Sequence, residues 1–483
     1  MTAQTFDPAQ AETPDFYERS ASALSDNNLR NSFRGAMDFL VEKRAIQFDD
    51  QDELDRLRIL GEQIKRRALS KLPDLLVQLE DQLTANGIQV HWAETTEEAN
   101  RVIAELIKAE NGKTVIKGKS MVTEEMELNH YLEGQGIECL ESDMGEYIVQ
   151  LAQQTPSHII MPAIHQSKED IARLFEKHLP DQKYTQNVDE LITMARVELR
   201  KKFEEADIGI SGVNFAVAET GTLCLVENEG NGRMTTTVPR VHIAVTGIEK
   251  VVENLADIPP LLSLLTRSAT GQPITTYFNM ISGPGTPGQM DGPEKVHLVL
   301  LDNGRSEAYQ DQQFRKTLQC IRCGACMNHC PVYTRIGGHT YGSVYPGPIG
   351  KILTPHLKGL KDAVDLPSAS SLCGACGEVC PVKIPIPDIL HRWRKVAVAG
   401  DSRDSDVNQL ISGSGVKRKQ SEVVIWNLWS KLFTKPGLHK TFLWLSSRFG
   451  SLTPPWLGAW TKYRARPVPA KRNLHELVRN RTH

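Results

Sequence analysis

Seven of the nine cysteines lie between Cys320 and Cys380, in two runs with the spacing of cluster ligands. The first is Cys320-x2-Cys323-x2-Cys326-x3-Cys330-Pro331. This is the bacterial ferredoxin spacing for [4Fe–4S] ligation: three thiolates two residues apart wrap one face of a cubane, and the fourth points toward a second cluster. The second run, Ser370-x2-Cys373-x2-Cys376-x3-Cys380-Pro381, matches the first position for position, with serine in place of the leading cysteine. Crossed ligation predicts one [4Fe–4S] cluster on Cys320, Cys323, Cys326 and Cys380. A second cluster, [4Fe–4S] or [3Fe–4S], falls on Cys330, Cys373 and Cys376. Its fourth position is open to Ser370 oxygen, Ser371, water or a residue from elsewhere, or the iron is absent. Paired C-x2-C is also zinc-knuckle spacing, but two Cys-Pro endings and a near-duplicated motif favour iron–sulfur. Cys139 and Cys224 fall in predicted strands and read as buried, inert thiols.

Outside these runs the chemical signals are weaker. Gly118-Lys119-Ser120 ends like a phosphate loop, but the nearest upstream glycine, Gly112, is one residue too far for the required spacing, so nucleotide-triphosphate binding is rejected. Ser120 or Thr123 caps a helix here instead, and Lys117 and Lys119 are candidates for an anion at its start. Glu219-Thr220-Gly221-Thr222 reads as a hairpin turn with glycine at positive φ. His158, His165, His242 and His297 lie in or beside strands, without metal-site spacing, and read as structural. No GxSxG or HExxH occurs, so serine-hydrolase and zincin chemistry have no support, and the one GxGxxG spacing, Gly283–Gly288, falls in a proline-containing loop that opens no predicted helix, so dinucleotide binding has none either. No catalytic residue is assigned.

The elements that must position the cysteines follow from periodicity. A helix is predicted around Asn28–Arg44. Apolar residues then recur every three or four positions from Asp52 to Leu83, which reads as amphipathic helix divided at Pro73. Strand-like runs at Ile88–Trp92, Thr114–Ile116, Ile137–Leu140 and His158–Met161 alternate with helical stretches, and this βαβα rhythm argues for a parallel sheet. Denser strands follow at Asp207–Val213, Phe215–Glu219, Thr222–Val226, Val241–Thr246 and Val296–Leu301. Ile281–Pro293 is a Gly/Pro-rich loop, and a helix over Ser306–Leu318 leads into the first cysteine run. Predicted domains are an N-terminal helical segment (1–65), an α/β domain (66–304), a mainly α-helical two-cluster ferredoxin domain (305–400) and a C-terminal tail (401–483). A Ser/Gly/Lys-rich linker occupies Ser412–Lys419.

At 483 residues, 40% hydrophobic and 24% charged, the chain is too long for one core and is of globular composition. A net charge of −3 gives no basic balance that points to nucleic acid. The tail is different, with 15 Lys/Arg against 5 Asp/Glu from Asp401 onward. It also holds Trp426, Trp429, Trp444, Trp456 and Trp460. Basic residues with tryptophan suit an interfacial membrane helix or, with greater weight, packing on protein. The polar N-terminus and the absence of a long apolar run predict a cytoplasmic protein without a transmembrane helix, possible membrane contact being peripheral, at the inner face, through the tail.

Two stretches carry a resemblance. Ser120–Ala172 (SMVTEEMELNHYLEGQGIECLESDMGEYIVQLAQQTPSHIIMPAIHQSKEDIA) and Asn214–Val252 (NFAVAETGTLCLVENEGNGRMTTTVPRVHIAVTGIEKVV) resemble the LUD (lactate utilization) domain. Followed by CIRCGACMNHCPVY and LCGACGEVCPVKIPIPD, the chain resembles the lactate utilization protein B family of iron–sulfur proteins. The resemblance implies an isomerase/CoA-transferase-like sheet with flanking helices, and the same seven cysteines with the eighth absent. It also implies electron transfer during oxidation of L-lactate to pyruvate, toward an acceptor such as the quinone pool, beside a cysteine-rich protein and a smaller LUD protein. The alternative is a cluster-dependent enzyme acting directly on a hydroxy acid through a site-differentiated cluster.

Overall fold

The computed structural model describes residues 15–179, 183–286, 288–289, 291–399, 420–450, 461, 465–466 and 468–479. Four helices open the chain: α1 (Phe16–Ser25), α2 (Asn27–Gln47), α3 (Gln51–Ser70) and α4 (Leu72–Ala85). Asp15, Asp26 and Asp50 cap the first three, each accepting from a backbone N–H of the first turn. The predicted break at Pro73 falls between α3 and α4, with Pro73 in the first turn of α4, where a missing N–H costs nothing.

Ten strands follow among the described residues: β1 (Ile88–Ala93), β2 (Thr114–Lys117), β3 (Glu138–Glu141), β4 (Ile208–Gly212), β5 (Phe215–Val217), β6 (Thr222–Glu227), β7 (Val241–Gly247), β8 (Val251–Val252), β9 (Tyr277–Ile281) and β10 (Lys295–Leu301). Six form a wholly parallel sheet in the order β1-β10-β7-β4-β2-β3. Such a sheet must be covered on both faces. Val115 and Ile210 point into one apolar layer with Ile103, Val122 and Leu128, whereas Ile116 points into another with Tyr147, Phe175 and Phe203. β8, β5, β6 and β9 make a smaller mixed sheet.

Three expectations change in detail. His158–Met161 is loop, because the His158 ring folds back and its Nδ1 accepts from the N–H groups of Ile160 and Met161. The helix into the first cysteine run is broken into Arg305–Gln310 and a 3-10 segment, Phe314–Gln319, with Asp311 turning the chain by accepting from the N–H groups of Gln313 and Phe314. Ile281, at the start of the Gly/Pro-rich loop, closes β9. The hairpin at Glu219–Thr222 joins β5 and β6, with Gly221 at φ +61°.

The cysteine region is built of short helices, Ala325–Asn328, Tyr333–Ile336, Gly347–Leu357 and Ala375–Val379, followed by Ile386–Ala399. It shares one apolar core with the N-terminal helices: Phe33 of α2 meets Tyr333 edge-on, and Arg58 of α3 donates through Nε to the Cys380 carbonyl at 3.0 Å.

A second compact unit comprises most of the tail. Its helices Gln420–Thr434 and Pro436–Phe449 are joined by an aromatic contact set, with Trp429 stacked on Phe433 and Phe433 beside Phe442. Val424, Trp426, Leu428, Trp444 and Phe449 remain exposed. No helix among the described residues is long and apolar enough to cross a membrane. Trp456, Trp460, the Ser412–Lys419 linker and the boundary near Gly400 lie outside the described residues.

Candidate metal centre

The two cysteine loops share one backbone conformation. Arg322 and Leu372, each just before the second position of its motif, have φ +61° and +53°; Gly324 and Gly374, just after it, have φ +87° and +91°. Each glycine then starts a short helix carrying the next cysteine. In the first loop the Arg322 N–H donates to Cys320 Sγ at 3.4 Å; in the second the Leu372 N–H donates to Ser370 Oγ at 3.2 Å. Ser370 oxygen thus occupies the place in its loop that Cys320 sulfur occupies in the other.

The chain brings these residues together in two groups. Cys320, Cys323, Cys326 and Cys380 line one small cavity with Ile159, Ile349 and Ile384. Cys330, Cys373 and Cys376 line a second with Ser370 and Ser371. None of these thiols is in a disulfide; Cys373 is exposed, Cys320 is partly exposed and the other five are buried. Burial raises the thiols of Cys323 and Cys326 and pushes those of Cys376 and Cys380 up to about 11 and about 12. Such thiols are poor ligands until a metal displaces their protons, which cluster iron does outright. Further donors face sulfur: the Tyr333 N–H lies 3.5 Å from Cys330 Sγ, the Ile384 N–H 3.3 Å from Cys380 Sγ, and Lys351 Nζ 3.7 Å from Cys330 Sγ. No three His, Cys, Asp or Glu side chains among the described residues gather around a single ion position. Thiols spread around a cavity, with N–H groups aimed at sulfur, suit a polynuclear cluster.

A buried charge network stands beside the first cavity. Glu249 Oε2 accepts from Arg305 Nε at 2.6 Å and Oε1 from Arg322 Nη2 at 3.1 Å. Arg305 also holds Glu125, and Tyr345 donates its hydroxyl to the same carboxylate. Lys65 of α3 donates to the Glu249 carbonyl at 2.7 Å. Burial alone would push the Glu249 carboxyl up, but Arg305 and Arg322 outweigh it and hold it down at about 2. Burial draws the Lys250 ammonium down to about 7. Sequence spacing carries no signal of this network, although Arg322 lies inside the cysteine motif and Glu249-Lys250 follow a wholly buried strand.

A larger cavity of about 280 Å³ opens at the carboxyl ends of β2 and β4, and its lining includes Lys119, Ser120, Lys250, Arg322 and Cys323. Lys117 and Lys119 therefore part company. Lys117 Nζ is fully buried between Glu141 at 2.7 Å and Glu124 at 3.0 Å, which excludes it from anion binding, whereas Lys119 reaches the cavity wall and donates to the Ile160 carbonyl. Ser120 caps Met121–Glu125.

The histidines are held by neighbours. His158 Nε2 meets Asn328 Oδ1 at 3.2 Å, His165 bonds Ser157 and Gln154, His242 bonds Ser211, and His297 bonds His91. Burial keeps His158 neutral, with its pKa near 3. Cys139 and Cys224 are buried in β3 and β6 and line neither cysteine cavity.

Comparison with known proteins bears on all of this. Residues 76–301 match the LUD domain, 316–384 a 4Fe-4S dicluster domain, and 392–483 the C-terminal region of lactate utilisation protein B. Lactate utilization protein B of Bacillus subtilis (strain 168) is 41% identical over 470 residues, 97% of each chain. The proteins of that name from Bacillus cytotoxicus and Macrococcus caseolyticus are 42% and 41% identical, covering 95% and 96% of this chain and 96% and 97% of their own. A solved DUF162 family protein from Deinococcus radiodurans aligns over 48% of this chain and 98% of its own, at 14% identity and a TM-score of 0.28, too low to argue from. Near-complete coverage at such identity, with the LUD domain, the dicluster domain and the family's own C-terminal region in one order, places this chain in the lactate utilization protein B family.

Proposed function

We propose that this chain is an iron–sulfur electron carrier in the oxidation of L-lactate to pyruvate, allowing lactate to serve as a carbon source. The observation that carries the reading is the pair of like-folded cysteine loops lining two separate cavities, one buried against the α/β domain and one reaching the surface at Cys373. Cys320, Cys323, Cys326 and Cys380 would hold a [4Fe–4S] cluster; Cys330, Cys373 and Cys376 would hold the second, [4Fe–4S] or [3Fe–4S], with Ser370 best placed for its fourth position. Iron–sulfur clusters exchange one electron each, and lactate gives up two electrons and two protons in becoming pyruvate. The residues around the first site favour negative charge: Arg322, Lys65 and Lys250 stand beside Cys320 and Cys323 and stabilise an added electron. Those around the second leave it open to a protein partner.

The finer architecture belongs to the same proposal: an N-terminal helical segment to residue 65, an isomerase/CoA-transferase-like LUD domain to 304, a helical two-cluster ferredoxin domain to 400, and the tail. A cysteine-rich protein and a smaller LUD protein are the companions. The exposed Trp426, Trp444 and Phe449 supply a surface for one of them or for peripheral attachment to a membrane.

The test is anaerobic visible spectroscopy of the purified chain, together with growth of a strain carrying Cys323→Ala. Bleaching by dithionite but not by L-lactate, and failure of the strain to grow on lactate, are expected. Bleaching by lactate alone would place dehydrogenation in this chain, and normal growth would end the carrier reading.

A further inference from the structure

The 280 Å³ cavity sits where the strand order of the parallel sheet reverses. From β2 the chain steps outward to β3 through Met121–Glu125 and Leu128–Gly134, on the face that holds Val115. It returns over β2 to β4 through Met144–Leu151, Lys168–His178 and Val188–Glu205, on the face that holds Ile116. Connections leaving by opposite faces open a crevice outside the strand ends, the position at which open parallel sheets take ligands. Ser120 and Gly212 meet closely at its floor: a Cβ on Gly212 would lie 2.8 Å from Ser120 Oγ.

The lining is charged and unfinished. Lys250 is only 6% exposed, yet its ammonium has no hydrogen-bond or ion-pair partner among the described residues. Arg322, 7% exposed, gives Nη2 to Glu249 and leaves Nη1 buried without a partner. Among the described residues, the buried cations Lys65, Lys250, Arg305 and Arg322 face two carboxylates, Glu125 and Glu249, and the Cys320 sulfur. A buried cation without a counter-charge is costly. Other lining residues are acidic: Asp143, Glu227 and Glu229. A second negative group on the ligand would meet them.

We propose that this cavity binds a small monocarboxylate, its carboxylate facing Lys250 beside the Arg322 guanidinium, with Ser120 available to its other polar atoms. The inference rests on the lactate reading above only for the choice of acid. Because Cys323 lines the same cavity, the first cluster feels the bound charge. A carboxylate there disfavours an added electron, and by reciprocity cluster reduction loosens the carboxylate.

The probe is the methyl proton relaxation of L-lactate and of pyruvate in the presence of the full, cluster-loaded chain under anaerobic conditions, before and after dithionite. Ionic strength is matched with chloride, and succinate serves as the dicarboxylate. Saturable relaxation enhancement on reduction is expected for lactate, pyruvate or both, the tighter of the two naming the physiological occupant. Lys250→Met should weaken it at least tenfold with cluster absorbance retained, and succinate should compete poorly. If Lys250→Met does not load clusters, Lys119→Met, on the cavity wall, replaces it with a loss of threefold or more expected. No saturable enhancement, or enhancement indifferent to both substitutions, overturns the proposal. So does a Lys250→Met protein whose midpoint potential shifts while carboxylate binding does not, since the surplus cations would then serve the cluster alone. Binding is measured without partners or turnover, so its failure leaves the growth test of the carrier reading untouched.

Discussion

Glu249→Gln isolates the buried charge network that joins α3, the α/β sheet and the first cysteine loop. The substitution keeps the side-chain shape and removes the charge. Arg305 retains Glu125, which it holds through Nη1 at 2.9 Å and Nη2 at 2.8 Å, but Arg322 loses its one ion-pair partner. Removing one partner of a buried pair costs about 3–5 kcal/mol; with one arginine still paired, about 3 kcal/mol is expected. At an m-value of about 3 kcal/mol per M in urea for a protein of this size, the unfolding midpoint falls by about 1 M. Glu253→Gln is the comparison: its partners Arg67 and Lys71 are 40% and 49% exposed, so its loss is about 0.5 kcal/mol, or about 0.2 M. The pH dependence gives a second reading. The Glu249 carboxyl sits at about 2 in the folded chain and near about 4.3 when unfolded. Its stabilisation is therefore complete above about 4.3 and lost as pH falls toward about 2. The wild-type and Glu249→Gln midpoints should stay a constant distance apart from about pH 6 to 8 and converge below about pH 4. Equal shifts for the two variants, or a gap that widens on acidification, would refute the reasoning.

Four further outcomes are expected. Gly35→Ala, on an exposed face of α2 with nothing within 4 Å of the new methyl, should raise stability by about 0.5–1 kcal/mol in thermal unfolding. Gly209→Ala in β4 would set a Cβ 1.9 Å from the Thr235 carbonyl oxygen and should leave little folded protein in the soluble fraction; wild-type yield and melting would contradict the packing described. In the second cysteine loop, cluster lifetime in air, followed by visible absorbance, should run Ser370→Cys above wild type above Ser370→Ala, and identical decay for all three would remove Ser370 as a ligand. Truncation after Ala399 should move the protein out of the membrane or partner-bound fraction while its iron content is kept; unchanged fractionation counts against a docking role for the tail.

Features that depend on nearby residues were legible in the sequence. The apolar runs at Ile88, Thr114 and Val241 are strands because β-branched residues two apart fill both faces of a covered sheet, and the cysteine spacing places seven thiols in two loops. Where a local run was misleading, a distant contact decided the structure. Ile159 and Ile160 read as strand, yet Ile159 lines both the large cavity and the first cysteine cavity, and Ile160 packs over Gly324. β8 is two residues long and β9 is a half-buried edge strand, too short or too mixed to show a period of two. The charge network had no local trace, since Arg305 meets Glu249 across 56 positions and Glu125 across 180. A Glu-Lys pair after a strand usually marks solvent, and only the packed chain reveals that both residues are buried.

The two cysteine groups differ most in what surrounds them, and that difference orders the proposed electron path. The first group is walled by the sheet, by α3 and by cations that have too few carboxylates, with only Cys320 partly exposed, so its nearest exchange is with a small molecule in the cavity. The second has fewer cations beside it among the described residues, Lys351 at Cys330 and Arg394 on the Ser370 carbonyl, and its loop reaches the surface through Leu372, 40% exposed, and Cys373. Positive charge lowers the energy of a reduced cluster, so the first position is the better holder of an electron and the second the better point of exchange with another protein. Cys326 and Cys330 lie one helical turn apart, one in each group, and tie the two positions to a single short segment. A carboxylate entering the cavity would offset the cations and weaken the hold of the first position on its electron. Occupancy of the α/β domain would then govern when the electron moves outward, which gives a carrier chain a physical reason to keep a cavity-bearing domain beside its clusters.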